Sequence, residues 1–226
     1  VTHEPDTLLA ISLAAFLRGD RNFSVLFVPG ERRVLDGYFW CHGKLVLSIL
    51  DNLQPVFEVL TPSDAGWARA ELPIGPQNSV ANVWRFDAEE SESNGDLLAN
   101  VQDPITPPTL MLRESSKVWD VKSWQVLKRA PSTFSINDLT VTRHEALSID
   151  GVRIPYVQVG PAKETGDAPV HLSGYGGFGV PVLPNYSSVI GKLWLERGGT
   201  SVTANIRGGG EFGTPWHEAG RLAGKR

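Results

Sequence analysis

The sequence predicts antiparallel β-meander blades of a partial β-propeller, followed by the beginning of an α/β sheet. Three observations predict it. From the start to about residue 130, short apolar or alternating runs rich in Val, Leu, Ile, Trp and Phe are separated by Asp, Asn, Gly and Pro, and helix-capping patterns are nearly absent. Strands beginning near Phe23, Trp67 and Ser123 are each followed by a Pro- or Gly-containing turn, a loose repeat of roughly 45 to 55 residues or about four strands, which fits a propeller blade. Beyond this point the order becomes strand, glycine turn, helix, strand, the opening of an α/β sheet. On pattern alone, a β-sandwich is the alternative for the first region.

The first region, residues 1–130, reads as strands at Leu8 to Leu13, Phe23 to Val28, Lys44 to Leu50, Pro55 to Leu60, Trp67 to Leu72, Ser79 to Phe86, Asp96 to Val101, Thr109 to Arg113 and Ser123 to Lys128. Most of the 7 tryptophans fall here and are assigned to blade packing. In the second region, residues 131–226, Leu147 to Val159 reads as a hairpin turning at Asp150-Gly151. A polar loop leads to the strand Val170 to Ser173. A helix from about Ser187 to Arg197, stopped by Gly198-Gly199, then precedes the strand Thr200 to Ile206.

Composition bounds the function. The 226 residues are 41% hydrophobic, enough for one or two cored domains, and 21 Lys+Arg against 25 Asp+Glu give a formal charge of −4. No Lys/Arg cluster offers a footprint for nucleic acid or an anionic membrane, and neither is expected as a partner. The single Cys41 cannot form an internal disulfide and reads as a packed thiol; neighbouring His42 is in no metal-spaced cluster, so no metal is expected. The run Thr7 to Leu17 is too short to span a bilayer and follows acidic Glu4 and Asp6, unlike a secretion signal. With no targeting segment visible, a cytoplasmic location is expected. The first residues read as mid-strand and a new pattern starts shortly before Arg226, so a piece of a longer protein is expected.

The chemistry is concentrated in two glycine turns, each after an apolar strand: Tyr175-Gly176-Gly177-Phe178, and Asn205 through Gly213. Glycine permits sharp turns and close backbone approach to a ligand. Residues 174–179 satisfy Gly-x-Gly-x-x-Gly after a strand, yet Pro181 and Pro184 fall where a dinucleotide-binding helix must start, and the acidic residue expected at the end of the next strand is replaced by Arg207. No cofactor is expected. A kinase glycine loop fails because Pro181 stands in place of valine. A Gly-x-Ser-x-Gly elbow at Ser173 fails because residue 171 is histidine, and His217 is a base by type only. An oxyanion-stabilising loop fits better: α/β-hydrolases take one donor from the glycine-rich loop after an early strand, and the Tyr175 phenol can serve as a donor.

At these residues the sequence resembles the prolyl oligopeptidase family of serine peptidases, in Tyr175 to Phe178, Glu196 to Gly199, Ala204 to Gly213 and Trp216-His217-Glu218-Ala219-Gly220. It is similar, less strongly, through Ser148 to Pro155. The resemblance implies an α/β-hydrolase domain capped by a β-propeller that admits short peptides. Tyr175 would be the side-chain oxyanion donor, and Phe178 an aromatic wall of the pocket for the residue before the scissile bond, with cleavage after proline. Ser173 and His171 depart from the aromatic and aliphatic residues usual in that strand. The family's Ser, Asp and His triad lies beyond the Gly-Gly-Glu motif, so this chain alone is expected to be inactive. The alternative function is a non-catalytic propeller and hydrolase-like binding protein.

Overall fold

The computed structural model describes residues 3–76, 79–89, 94–116, 121–163 and 166–224. Strands β1 (Leu8–Ala10) and β2 (Ser24–Phe27) form an antiparallel pair. The connection carries a short helix, α1 (Leu13–Leu17), so the strand expected over Leu8 to Leu13 ends at Ala10 and Leu13 opens the helix. Its start is set by Ser12, whose hydroxyl accepts the Ala15 N–H at 3.1 Å and satisfies one of the free amides of a helix N-terminus.

Two four-stranded antiparallel meanders follow in sequential order. The first comprises β3 (Arg33–Cys41), β4 (Lys44–Asp51), β5 (Gln54–Ser63) and β6 (Gly66–Glu71), and the second β7 (Val80–Arg85), β8 (Leu97–Asp103), β9 (Thr106–Arg113) and β10 (Trp124–Arg129). Two-residue loops with positive φ at both positions, His42-Gly43 and Asn52-Leu53, join β3 to β4 and β4 to β5, matching the twist of the strands they connect. Strand β3 escapes the sequence pattern because Asp36-Gly37 resembles a turn; here it is a bulge, with a register shift between Leu35 and Gly37.

The meanders stack. One apolar cluster joins Cys41, Val46, Phe57 and Val59 of the first sheet to Ala81, Leu97, Ala99, Val101 and Trp124 of the second. Another joins Leu45, Leu47, Ile49 and Leu60, on the opposite face of the first sheet, to Leu26 and Phe27 of β2. The first meander is thus covered on both faces, because β4 is apolar along nearly its whole length rather than alternating. The four-strand period is present, but its phase differs from the sequence expectation. Sheets begin at Arg33 and Val80, and the starts expected near Trp67 and Ser123 are the last strands of their sheets. Trp124 is buried and donates its indole N–H to the Pro73 carbonyl at 3.0 Å, whereas Trp40 and Trp84 are exposed and do not serve the core.

The remaining sheet comprises β11 (Leu139–Leu147), β12 (Arg153–Pro161), β13 (Val170–Gly174) and β14 (Thr200–Ala204), in the order β11-β12-β14-β13, with β13 and β14 parallel. The turn at Asp150-Gly151 joins β11 and β12, so the hairpin's first arm lies upstream of where the sequence suggested. Helix α2 (Ser188–Leu193) and a 3₁₀ turn at 195–197 form the β13–β14 crossover; Ser187 caps the start and Gly198, at φ 82°, the end. The segment between the second meander and β11 lies along α2: Phe134 stacks on Tyr186 at 5.0 Å between ring centroids and, with Val159 and Leu195, forms a third core. Gly191 is required in α2 because a Cβ would overlap the Phe134 ring. No helix among the described residues is long and apolar enough to cross a membrane.

Candidate functional site

The Tyr175 loop leaves the carboxyl end of β13, the third strand of its sheet in chain order. Within it, Gly176 meets backbone rather than an open cradle. A Cβ on Gly176 would lie 2.7 Å from Ile206 Cγ1 and overlap the Arg207 carbonyl oxygen; one on Gly208, at φ 101°, would overlap the Gly176 carbonyl, and one on Gly210 the Gly179 carbonyl. The two glycine turns are therefore closely packed against each other. The Gly179 N–H donates to Gly208 O at 3.2 Å, joining the two, and the Gly208 N–H donates to Trp216 O, beyond the second turn, at 2.9 Å.

Buried side chains hold the far end of the Tyr175 loop. Glu211 is 0% exposed, and its Oε1 accepts the Val182 N–H at 3.0 Å and Asn205 Nδ2 at 3.3 Å. Asn205 Nδ2 also donates to the Val182 carbonyl at 2.6 Å, so both polar groups of the Val182 backbone are engaged. Burial pushes the Glu211 carboxyl above its ordinary range, with the bonds from Val182, its own backbone and Asn205 opposing. Sequence reasoning missed Asn205 and Glu211 as determinants of the loop. Their signal was a polar pair bracketing a glycine run at the end of a buried strand.

Three longer-range contacts complete the frame. Arg207 reaches Asp150 and the Ser148 hydroxyl, tying the second glycine turn to the β11–β12 turn, and holds the Asp150 carboxyl below its ordinary value. Helix α3 (Gly213–Ala219) has no cap from its own N-terminal residue. Asp6, more than two hundred positions earlier, accepts the Thr214 N–H at 2.8 Å and its hydroxyl at 2.7 Å. His217 on α3 places Nδ1 2.8 Å from the Gly208 carbonyl, a structural contact within the glycine frame.

On this frame Tyr175 and Phe178 project outward. Tyr175 is 46% exposed, and its phenol has no hydrogen-bond partner among the described residues. Phe178 is 88% exposed and sits at φ 57°, a left-handed conformation costly for a residue with a Cβ and held by the bonds on either side. A cavity of about 420 Å³, lined in part by Asp36, Gly179, Pro181, Gly210 and His217, runs alongside the loop. A larger one of about 900 Å³ includes Arg32, Arg207, Phe212 and Trp216. Neither is lined by Tyr175 or Phe178. Ser173 donates its hydroxyl to the Val202 carbonyl at 3.3 Å, and His171 packs edge-on to Trp194. Among the described residues, no group of three or more His, Cys, Asp or Glu side chains could hold a metal ion.

No family model matches the chain. Among curated proteins it is 37% identical over 200 residues to an uncharacterized peptidase of Sinorhizobium fredii, covering 87% of this chain and 26% of that protein. It is 31% identical over 147 residues to the prolyl endopeptidase of Elizabethkingia meningoseptica, covering 64% of this chain and 20% of that protein. Among solved structures, a post-proline cleaving enzyme from Rickettsia typhi superposes with a TM-score of 0.84 at 27% identity, covering 97% of this chain and 31% of that one. The chain thus spans between a fifth and a third of the length of these relatives. With the sheets, the glycine turns and the peptidase relatives in agreement, the chain belongs to the prolyl oligopeptidase family.

Proposed function

We propose that this chain is part of a serine-type oligopeptidase that hydrolyses short peptides after proline. Residues 1–130 would supply blades of its β-propeller, and residues 131–226 the first part of its α/β-hydrolase domain. The observation that carries the reading is the position of the Tyr175 loop. It follows the third strand of the sheet and precedes the crossover helix, where α/β-hydrolases take an oxyanion donor, and its phenol is free to donate. The similarity to a prolyl endopeptidase and to a post-proline cleaving enzyme supports the substrate class.

In this mechanism a serine outside the chain attacks the peptide carbonyl, and a histidine takes the serine proton and returns it to the leaving amine. The Tyr175 hydroxyl donates to the tetrahedral oxyanion, and the buried Asn205–Glu211 pair keeps the loop in position without reorganisation during the reaction. Phe178 presents an apolar face that completes a proline pocket with residues outside the chain. Because neither glycine turn carries a nucleophile elbow, the chain alone is inactive. A fluorophosphonate probe tests the reading: it should label the full-length protein stoichiometrically at a serine beyond residue 226 and leave the isolated chain unlabelled. Labelling within residues 1–226, or none in the full-length protein, would refute it.

A further inference from the structure

A guanidinium with no counter-ion among the described residues lies in the β11–β12 hairpin, away from the Tyr175 loop. Arg143 sits opposite Val157 in the strand register. Its Nε is shut off from water with no acceptor. Glu145, on the same face of β11, is engaged by Arg32 and, at 3.5 Å, by Arg153. Burial with no compensating negative neighbour pulls Arg143 below its ordinary value. A partly buried charge left unpaired is costly, and half of an ion pair has this character.

Arg143 lines a cavity of about 440 Å³ with Asn52, Leu53, Glu145, Arg153 and Tyr156, between the β4–β5 turn and the hairpin. Arg153 is mostly exposed, with one long contact to Glu145. The Asn52 side-chain oxygen accepts from Arg32 at 3.3 Å. Guanidinium binds carboxylate or phosphate in bidentate fashion, and this cavity carries two guanidinium groups together with the Glu145 carboxylate that Arg32 and Arg153 already engage. The volume suits a small ligand. We propose that this cavity binds a small oxyanion, held by Arg143 and Arg153. Two sources present that chemistry: the terminal carboxylate of a peptide and inorganic phosphate.

The test titrates the full-length protein, at constant ionic strength in chloride, with inorganic phosphate and with N-acetylglycine, using N-acetylglycinamide as the uncharged control. Binding is followed by nuclear magnetic resonance at the arginine Nε–H signals. Saturable movement of the Arg143 signal with either anion, and none with the amide, is expected; the anion that binds more tightly identifies the source. Arg143→Gln should weaken binding about tenfold or more, and Arg153→Gln about threefold. Arg143→Met should abolish the response while leaving the melting midpoint without anion unchanged or higher, since it removes an unpaired charge. Should the Arg143 variants fail to fold, the unmutated chain and Arg153→Gln still decide. An Arg143 signal unmoved by both anions, or undiminished affinity in Arg153→Gln, overturns the proposal, as does undiminished affinity in a folded Arg143→Gln.

Discussion

Glu211 and the glycines around it carry the most testable consequences at the residue scale. Burial raises the Glu211 carboxyl, so the folded protein holds that proton more tightly than the unfolded chain. Its stabilising effect is complete below the ordinary carboxylate pKa and is lost as pH rises through the raised value. Glu211→Gln should therefore flatten the decline in stability above that ordinary value, measured by urea denaturation at successive pH values. Glu211→Ala, which leaves the buried Val182 N–H without its acceptor, should cost about 1 to 3 kcal/mol. Gly208→Ala should cost about 3 kcal/mol, combining a positive φ with overlap on the Gly176 carbonyl; Gly151→Ala, with positive φ but open space around it, should cost about 1 to 2 kcal/mol. Equal costs at the two positions would contradict the packing of one turn on the other. The sequence displayed the glycines but not their purpose. Their freedom is spent on loop-to-loop contact, and a partner thirty residues away leaves no local pattern.

The elements that were legible are those whose signals are local. Strands β4, β5, β7 and β8 and the β13–α2–β14 crossover follow from apolar runs and turn residues next to one another. Helix α2 was readable from Ser187 at one end and Gly198 at the other; Ser187→Ala should lower stability by about 1 kcal/mol in the same denaturation assay. What was not legible depends on context. Helix α1 is five residues long and buries none of them, so no periodicity announces it. The bulge at Asp36-Gly37 imitates a turn, and the phase of the four-strand repeat is set by which sheet each strand joins, which alternation does not encode. The candidate site residues divide similarly: the motif singles out Tyr175 and Phe178 as proposed, whereas Asn205 and Glu211 reach the Val182 backbone only when β14 lies beside β13.

At the scale of the whole molecule, the chain spans between a fifth and a third of the length of its peptidase relatives. Among the described residues, strand β13 pairs only with β14 and exposes Val170 and Leu172, so the isolated chain presents an unpaired edge and should self-associate. Leu172→Lys should reduce that association, as measured by concentration-dependent light scattering. In the full-length protein, Phe178→Ala should cost about 1 to 3 kcal/mol in kcat/KM and penalise proline substrates more than alanine ones, because it removes apolar contact with the ring. The most direct measurement is the steady-state kinetics of full-length Tyr175→Phe with a proline and an alanine substrate. A phenol that donates only in the transition state requires kcat to fall by about 10² to 10³ for both substrates with little change in KM. An unchanged kcat would contradict that role.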